Sequence, residues 1–475
     1  MKKTGKVQRF FGFLLGLLII SGCGTIFNAY EAQQSVKGKA DGVCGERAKL
    51  DLADYSLKEL VQFAMTNRPA MVSAALAVVD ARLALREIAA DAPLVSYSPW
   101  TSPHLALSGG YAESSTPDTP ISWRTAGNAS AGLSLDILIY DFGRNSARAS
   151  AQVERVIAAE HDFVRTGYAV FNEVSAAYFD LMESDALLAV AITNQTEFAL
   201  HLQEAEDRLA AGEAMKLDVT RAKSNLYQAR EEVIVASNTV VTADAALMKA
   251  LGVDVAHGTR DEVYPSSGNS LATVMRGFAR TSYGVDPAFD LARTNAPAMA
   301  ISRARLRAAS RQVDYAIADL MPSVSAQIGI NWADPLWVWH WGVDAAQSIF
   351  VGFRKVTAVD RAVVALQTAA TDVDEAEQQL SLDLETAIAV RDNAAKKLET
   401  ARMTVVQARE DLGLVKQQYQ EGEASRVDFT EAVTSYARAL GNRISAFYTG
   451  QRAEAALFAI VGRVPEYDEK EMKEN

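Results

Sequence analysis

Few side chains in this 475-residue chain are spaced for chemistry, and those that are lie beside glycines. Asp428 and Glu431 stand three apart in the run after Gly422, so on a helix they share one face, and clustered carboxylates attract cations. Asp218 follows Gly212 in the same way. Acids also favour the first turn of a helix, so a capping role stands beside the first reading for Asp218 and Asp428. Catalytic signatures are missing: there is no Gly-rich phosphate loop ending in Lys-Ser/Thr, no His-Glu-x-x-His and no nucleophile elbow. His104, His161, His201, His257 and His340 are too scattered to argue for a metal site. Two cysteines make neither a disulfide framework nor a four-thiolate zinc site. The chain reads as a non-enzyme without a cofactor.

The elements that must carry these residues begin with a leader. Lys2, Lys3, Lys6 and Arg9 precede the apolar stretch Phe10 to Ile20 with no acid among them, the layout of a secretory signal over residues 1–22. The net charge is −12 and becomes more negative once those cations are removed, which opposes nucleic-acid binding. No later segment offers eighteen uninterrupted apolar residues, which argues against a second membrane-spanning helix. The leader ends at Ile20-Ser21-Gly22-Cys23, which resembles the lipobox of bacterial lipoproteins. By that resemblance Cys23 becomes the acylated first residue, Cys44 stays a free thiol, and Gly24 is compatible with outer-membrane sorting.

The chain then repeats itself. At an offset of 210, Arg144 meets Arg354, Gly212-Glu213-Ala214 meets Gly422-Glu423-Ala424, Asp218 meets Asp428, and Gly252 meets Gly462. Farther upstream, Asn67-Arg68-Pro69-Ala70-Met71 resembles Asn295-Ala296-Pro297-Ala298-Met299. The intervals Arg144 to Gly212 and Arg354 to Gly422 are equal, proline-free and apolar at helical spacing, which predicts helices of about 100 Å. Shorter helices are expected from each hairpin glycine to Gly252 or Gly462, and from Pro69 to Pro93 or Pro297 to Pro322.

Between the helices the period changes from 3.6 to 2. Val324, Ala326, Ile328, Ile330 and Trp332 alternate with polar or small residues, as do Trp337, Trp339, Trp341 and Val343, and Leu133, Leu135, Ile137 and Ile139. These predict two hairpins of about ten-residue strands, near 97–140 and 323–350, the length that crosses a tilted bilayer. All six tryptophans, Trp100, Trp123, Trp332, Trp337, Trp339 and Trp341, fall in or beside them, and tryptophan favours membrane interfaces. Four strands cannot close a barrel in lipid, so copies must assemble; strand counting leaves eight strands from two copies or twelve from three.

This arrangement resembles the TolC-like outer-membrane efflux duct family, lipoprotein branch. The resemblance rests on the duplicated helices, the Asn-x-Pro starts, the Tyr140-Asp141-Phe142-Gly143-Arg144 junction and the Gly-x5-Asp hairpins. It departs at Phe350-Val351-Gly352-Phe353-Arg354, where Gly and Phe exchange order. The resemblance implies a mainly α fold with a small β part: a homotrimer sharing a twelve-stranded barrel in the outer membrane above a long α-helical barrel. It implies a passive conduit docked to a periplasmic adaptor and an inner-membrane pump. Its acidic constriction corresponds to Asp428 and Glu431, Asp218 to a closed-state contact, Tyr419 to a gating aromatic, and Arg208 and Leu209, with Gly212 and Gly422, to tips that adaptors recognise. Ala424 stands where the family often has a base, so a different closing latch is expected. The implied layout is a lipidated linker over 23–55, repeats over 56–252 and 286–463, an equatorial linker over 253–285 and a charged tail over 464–475. A periplasmic coiled-coil scaffold or adaptor without a pore would explain the helices but not the four alternating segments.

Overall fold

The computed structural model describes residues 56–90, 104–119, 122–212, 215–253, 285–333, 336–347, 352–421 and 423–462. Its elements, in chain order, are α1 (Leu57–Asn67), α2 (Pro69–Ala90), β1 (His104–Thr119), β2 (Ser122–Tyr140), α3 (Arg144–Ala210), α4 (Lys216–Leu251), α5 (Val285–Asn295), α6 (Pro297–Ala318), β3 (Ser323–Ala333), β4 (Leu336–Ala346), α7 (Arg354–Glu421) and α8 (Arg426–Val461). The fold is mainly helical with one small sheet, as the two periodicities predict. Cys23, Trp100 and Gly422, the linker over 253–285 apart from its end residues, and the tail lie outside the described residues.

Local chemistry sets the helix ends. Ser56 opens α1 by accepting from the Glu59 amide, while the Glu59 carboxylate accepts from the Ser56 amide at 2.8 Å. Pro69 and Pro297 begin α2 and α6, where a missing amide hydrogen costs no helical bond. The helices α3 and α7 run 67 and 68 residues, about 100 Å each. Alanines such as Ala151, Ala177, Ala186 and Ala205 lie buried along α3, because small side chains let long rods approach closely over many turns. Among the described helices, α4 alone is long and apolar enough by composition to cross a membrane.

Each repeat closes on itself at one corner. Gly252 and Gly462 end α4 and α8 with φ of 76° and 73°, the left-handed region that favours glycine. A Cβ on Gly252 would stand 3.1 Å from Arg68 Cα, and one on Gly462 only 2.8 Å from the Asn295 carbonyl oxygen. The terminal glycine therefore packs on the Asn-x-Pro turn of its own repeat. Arg68 adds a bond to the Ala250 carbonyl at 3.3 Å and an ion pair to Glu173.

The exchanged order of Phe and Gly at the two strand-to-helix junctions has a simple cause. Phe142 and Gly143 have φ of 54° and 85°, and Gly352 and Phe353 have 64° and 61°, so both junctions are made of two consecutive left-handed residues. Either order builds the same corner, with phenylalanine held in a conformation it rarely adopts. Beyond it, Arg144 at 3.4 Å and Lys355 at 3.5 Å converge on Asp319 at the end of α6.

The strands form one antiparallel sheet in the order β1-β2-β3-β4, leaving β1 and β4 as open edges. The second hairpin has 11-residue strands, close to the expected ten. The first is longer: β1 has 16 residues and β2 has 19. Backbone pairing continues through stretches such as Ser114-Ser115-Thr116 and Thr125-Ala126-Gly127-Asn128, where side chains carry no apolar alternation and periodicity is blind to the strand.

Candidate functional site

At the far end of the helices from the sheet, two helical hairpins come together around a small apolar core. Phe198 and Leu202 of α3, Leu226 of α4, Leu412, Val415 and Tyr419 of α7, and Phe429 and Val433 of α8 pack there. The first hairpin turns at Gly212, with φ of 79°. Asp218 Oδ2 then accepts from the Met215 amide at 3.0 Å and caps α4. In the second, Ser425 Oγ accepts from the Asp428 amide at 3.3 Å while Asp428 Oδ2 accepts from the Ser425 amide at 3.1 Å. Both aspartates thus cap helices, the local reading given for them above.

Asp218 also does something that its cap does not require. Arg426, the first residue of α8, reaches across to it: one guanidinium nitrogen donates to the Asp218 carbonyl at 2.5 Å and another pairs with the carboxylate. The Met215 amide first, and then the Arg426 charge, hold the Asp218 carboxyl below the usual carboxylate range against partial burial. This fork ties the two hairpins together. Asn225 adds a bond to Thr430 Oγ1 at 3.4 Å. Sequence reading named Asp218 but missed Arg426. The available signal was the 210-residue offset, which aligns Arg426 with Lys216 and puts a cation first in both helices.

Tyr419 lies near this fork. Its ring stacks on Phe429 at 5.3 Å with an interplanar angle of 25°, and meets His201 edge-on at 5.3 Å. Arg208 stands over the same ring at 4.9 Å and pairs with Glu204 at 3.2 Å. Arg208 and Tyr419, expected in separate roles, are therefore in contact. Leu209 is exposed at the tip, as are Met215, Leu217 and Val427. Asp428 and Glu431 are exposed on α8. Among the described residues, no three His, Cys, Asp or Glu side chains are placed to hold a metal ion.

The sheet has two chemically distinct faces. Leu133, Leu135, Ile328, Ile330, Trp332, Trp337, Trp339, Trp341 and Val343 fall in rows on one face, through pairs such as Leu135↔Ile328, Ile328↔Trp341, Ile330↔Trp339 and Trp332↔Trp337. Trp341 is 83% exposed, and the rings of Trp332 and Trp337 lie 6.5 Å apart. Ser134, Asp136, Gln327, Asn331, His340 and Asp344 fall on the other face, in rows such as Asp136↔Gln327 and Ser325↔Asp344. Trp123 lies on β2. An apolar face exposed to this degree matches lipid, and the polar face behind it matches a water-filled lumen.

The profile of a family described as outer membrane efflux protein matches residues 60–253 and 288–463, one match for each repeat. No curated protein matches the chain significantly. Among solved structures the chain is similar to CusC, whose crystal structures concern folding and transmembrane channel formation, with 18% identity and a TM-score of 0.74 over 89% of this chain and 99% of that one. It is similar to the outer membrane protein VceC of Vibrio cholerae, with 19% identity and a TM-score of 0.69 over 86% and 96%. The Campylobacter jejuni CmeC outer membrane channel gives 16% identity and a TM-score of 0.71 over 86% and 85%. At these identities the likeness is one of fold.

Proposed function

Because the chain belongs to the outer membrane efflux protein family, we propose that three copies form one passive duct, carrying substrate from an inner-membrane pump and periplasmic adaptor across the periplasm and outer membrane. The observation that supports this most strongly is the sheet. It has four strands, two open edges and one face with exposed Ile328, Trp337, Trp339, Trp341 and Val343. Open edges in lipid would leave backbone groups without partners, so other copies must continue the sheet. Three copies supply twelve strands, the number the family resemblance implies. In this reading the polar face lines the lumen and the long helices extend the conduit through the periplasm.

The hairpin end is then the periplasmic gate. The Asp218–Arg426 fork latches it, Tyr419 fills it, and Asp428 and Glu431 repeat around the threefold axis as a cation-attracting ring. Leu209, Gly212 and Gly422 mark the tips offered to the adaptor. Arg208, engaged by Tyr419 and Glu204, belongs with the gate contacts. Residues 1–22 act as the signal, Cys23 as the lipid anchor, and residues 253–285 as the equatorial linker between repeats. The protein performs no catalysis, and the pump sets the substrate.

Native mass spectrometry of detergent-purified protein, followed by planar-bilayer recording, tests this reading. A trimer giving discrete conductance steps is the expected result. A monomer, or a trimer that never conducts, overturns it.

A further inference from the structure

Ten residues before the Ala211 turn, about 15 Å along α3, His201 lies sealed inside the hairpin end. Its side chain is 2% exposed, and neither ring nitrogen has a hydrogen-bond partner. The nearest carboxylate oxygen, Glu204 Oε2, is 3.7 Å from Nδ1, beyond hydrogen-bonding distance. The imidazole instead packs on aromatic rings: Phe429 at 4.8 Å and Tyr419 at 5.3 Å. A phenylalanine would fill the same space without leaving two polar atoms unsatisfied, so the imidazole is not explained by packing.

Charged and titratable groups face it from each side. Glu204 and Arg208 come from α3, Tyr419 from α7 and Arg426 from α8, with Asp218 of α4 behind Arg426. Burial is the largest influence and disfavours the charged ring. Arg426 and Arg208 act in the same direction, while Glu204 opposes them. The proton affinity of His201 is therefore held below the ordinary 6.5.

Building on the duct reading, we propose that His201 is the proton sensor of the hairpin end: protonation places a charge in the sealed pocket against Tyr419 and Phe429, and the imidazole turning out toward Glu204 and water unseats both rings and loosens the Asp218–Arg426 latch. The sign follows from the lowered affinity. The closed packing is complete above about pH 6.5 and is lost as pH falls through the depressed value of the buried ring. Asp218 cannot produce this response. Its carboxyl starts from an ordinary 3.8 and is lowered further, so its ion pair outlasts the histidine packing as pH falls.

Planar-bilayer recordings of the wild type between pH 7.5 and 5.5 should show a several-fold rise in open probability. His201→Phe should match the wild type at pH 7.5 and stay flat on acidification; a His201→Phe channel that responds like the wild type overturns the proposal. Hydrogen exchange of the wild type gives a second readout that needs no variant. Residues 198–212 and 415–430 should exchange several-fold faster at pH 5.5 after correction for intrinsic rates, and equal protection at the two values also overturns the proposal. Arg426→Ser at pH 7.5 separates the two claims. A conductance rise there with a pH-insensitive wild type keeps the gate and discards the sensor, whereas no rise discards the gate and leaves the exchange comparison to decide the sensor.

Discussion

Arg426 combines two contacts on Asp218, carbonyl and carboxylate, each made by its own guanidinium nitrogen. Arg426→Ser should raise single-channel conductance at neutral pH, and Arg426→Lys should raise it less, since an ammonium keeps the charge but replaces the rigid fork by a single flexible point of contact. Equal conductance in all three proteins would remove the latch. Asp428 allows its two roles to be separated in one set of variants. Asp428→Ala should cost about 1 kcal/mol in thermal or denaturant unfolding because it breaks the cap with Ser425, whereas Glu431→Ala should leave stability unchanged. Only the double substitution should both raise conductance and weaken cation preference. Tyr419 was named only through the family resemblance, whereas Asp218 and Asp428 were legible as helix-start residues because each lies at the same distance from a hairpin glycine. Arg426 and His201 were not, because their meaning lies in partners across the hairpins: Arg426 and Asp218 are 208 residues apart, and His201 meets rings on α7 and α8.

At the scale of elements, the corners decide how the repeats close. The two terminal glycines differ in their surroundings although their backbones agree. An alanine at Gly252 meets the Arg68 backbone at 3.1 Å, whereas one at Gly462 meets the Asn295 carbonyl oxygen at 2.8 Å. The left-handed conformation alone should cost either substitution about 1–2 kcal/mol. Gly462→Ala should cost more, since both contacts are with backbone and the 2.8 Å approach at Gly462 is closer than any real Cβ contact, whereas the 3.1 Å approach at Gly252 is only tight. Unfolding midpoints in detergent should therefore fall in the order wild type, Gly252→Ala, Gly462→Ala, and the reverse order of the two variants would contradict this packing. The helices were plain from sequence because apolar spacing persists through most of α3 and α7 and prolines or glycines punctuate their ends. The first hairpin was only half visible. Its outer stretches, such as Ser114-Ser115-Thr116 and Thr125-Ala126-Gly127-Asn128, are paired strand although they write no apolar alternation into the sequence. The junctions, ambiguous as letters, became equivalent once both of their residues proved left-handed.

The molecule as a whole carries more apolar surface than one copy can cover. Along α2, Val72, Leu76, Val79 and Leu83 are exposed at helical spacing, a stripe of one face over three turns. On α7, Val356, Val363, Val364, Leu382, Met403 and Val406 are exposed, and on α4, Tyr227, Ile234 and Val235. On the proposed trimer, patches of this extent on the helices would face neighbouring copies rather than lipid. The same copies that continue the sheet past β1 and β4 would cover them, so barrel closure and helix packing must be lost together. Leu76→Glu combined with Leu83→Glu places two carboxylates in that contact without touching a strand. Each would be desolvated beside apolar side chains in the assembled duct but hydrated in a single chain. The double variant should therefore run as a monomer on native gels where the wild type runs as an oligomer, and it should fail to conduct although every strand is intact. An oligomer of unchanged stability would mean that the α2 stripe faces something other than another copy, and that strand pairing alone holds the assembly.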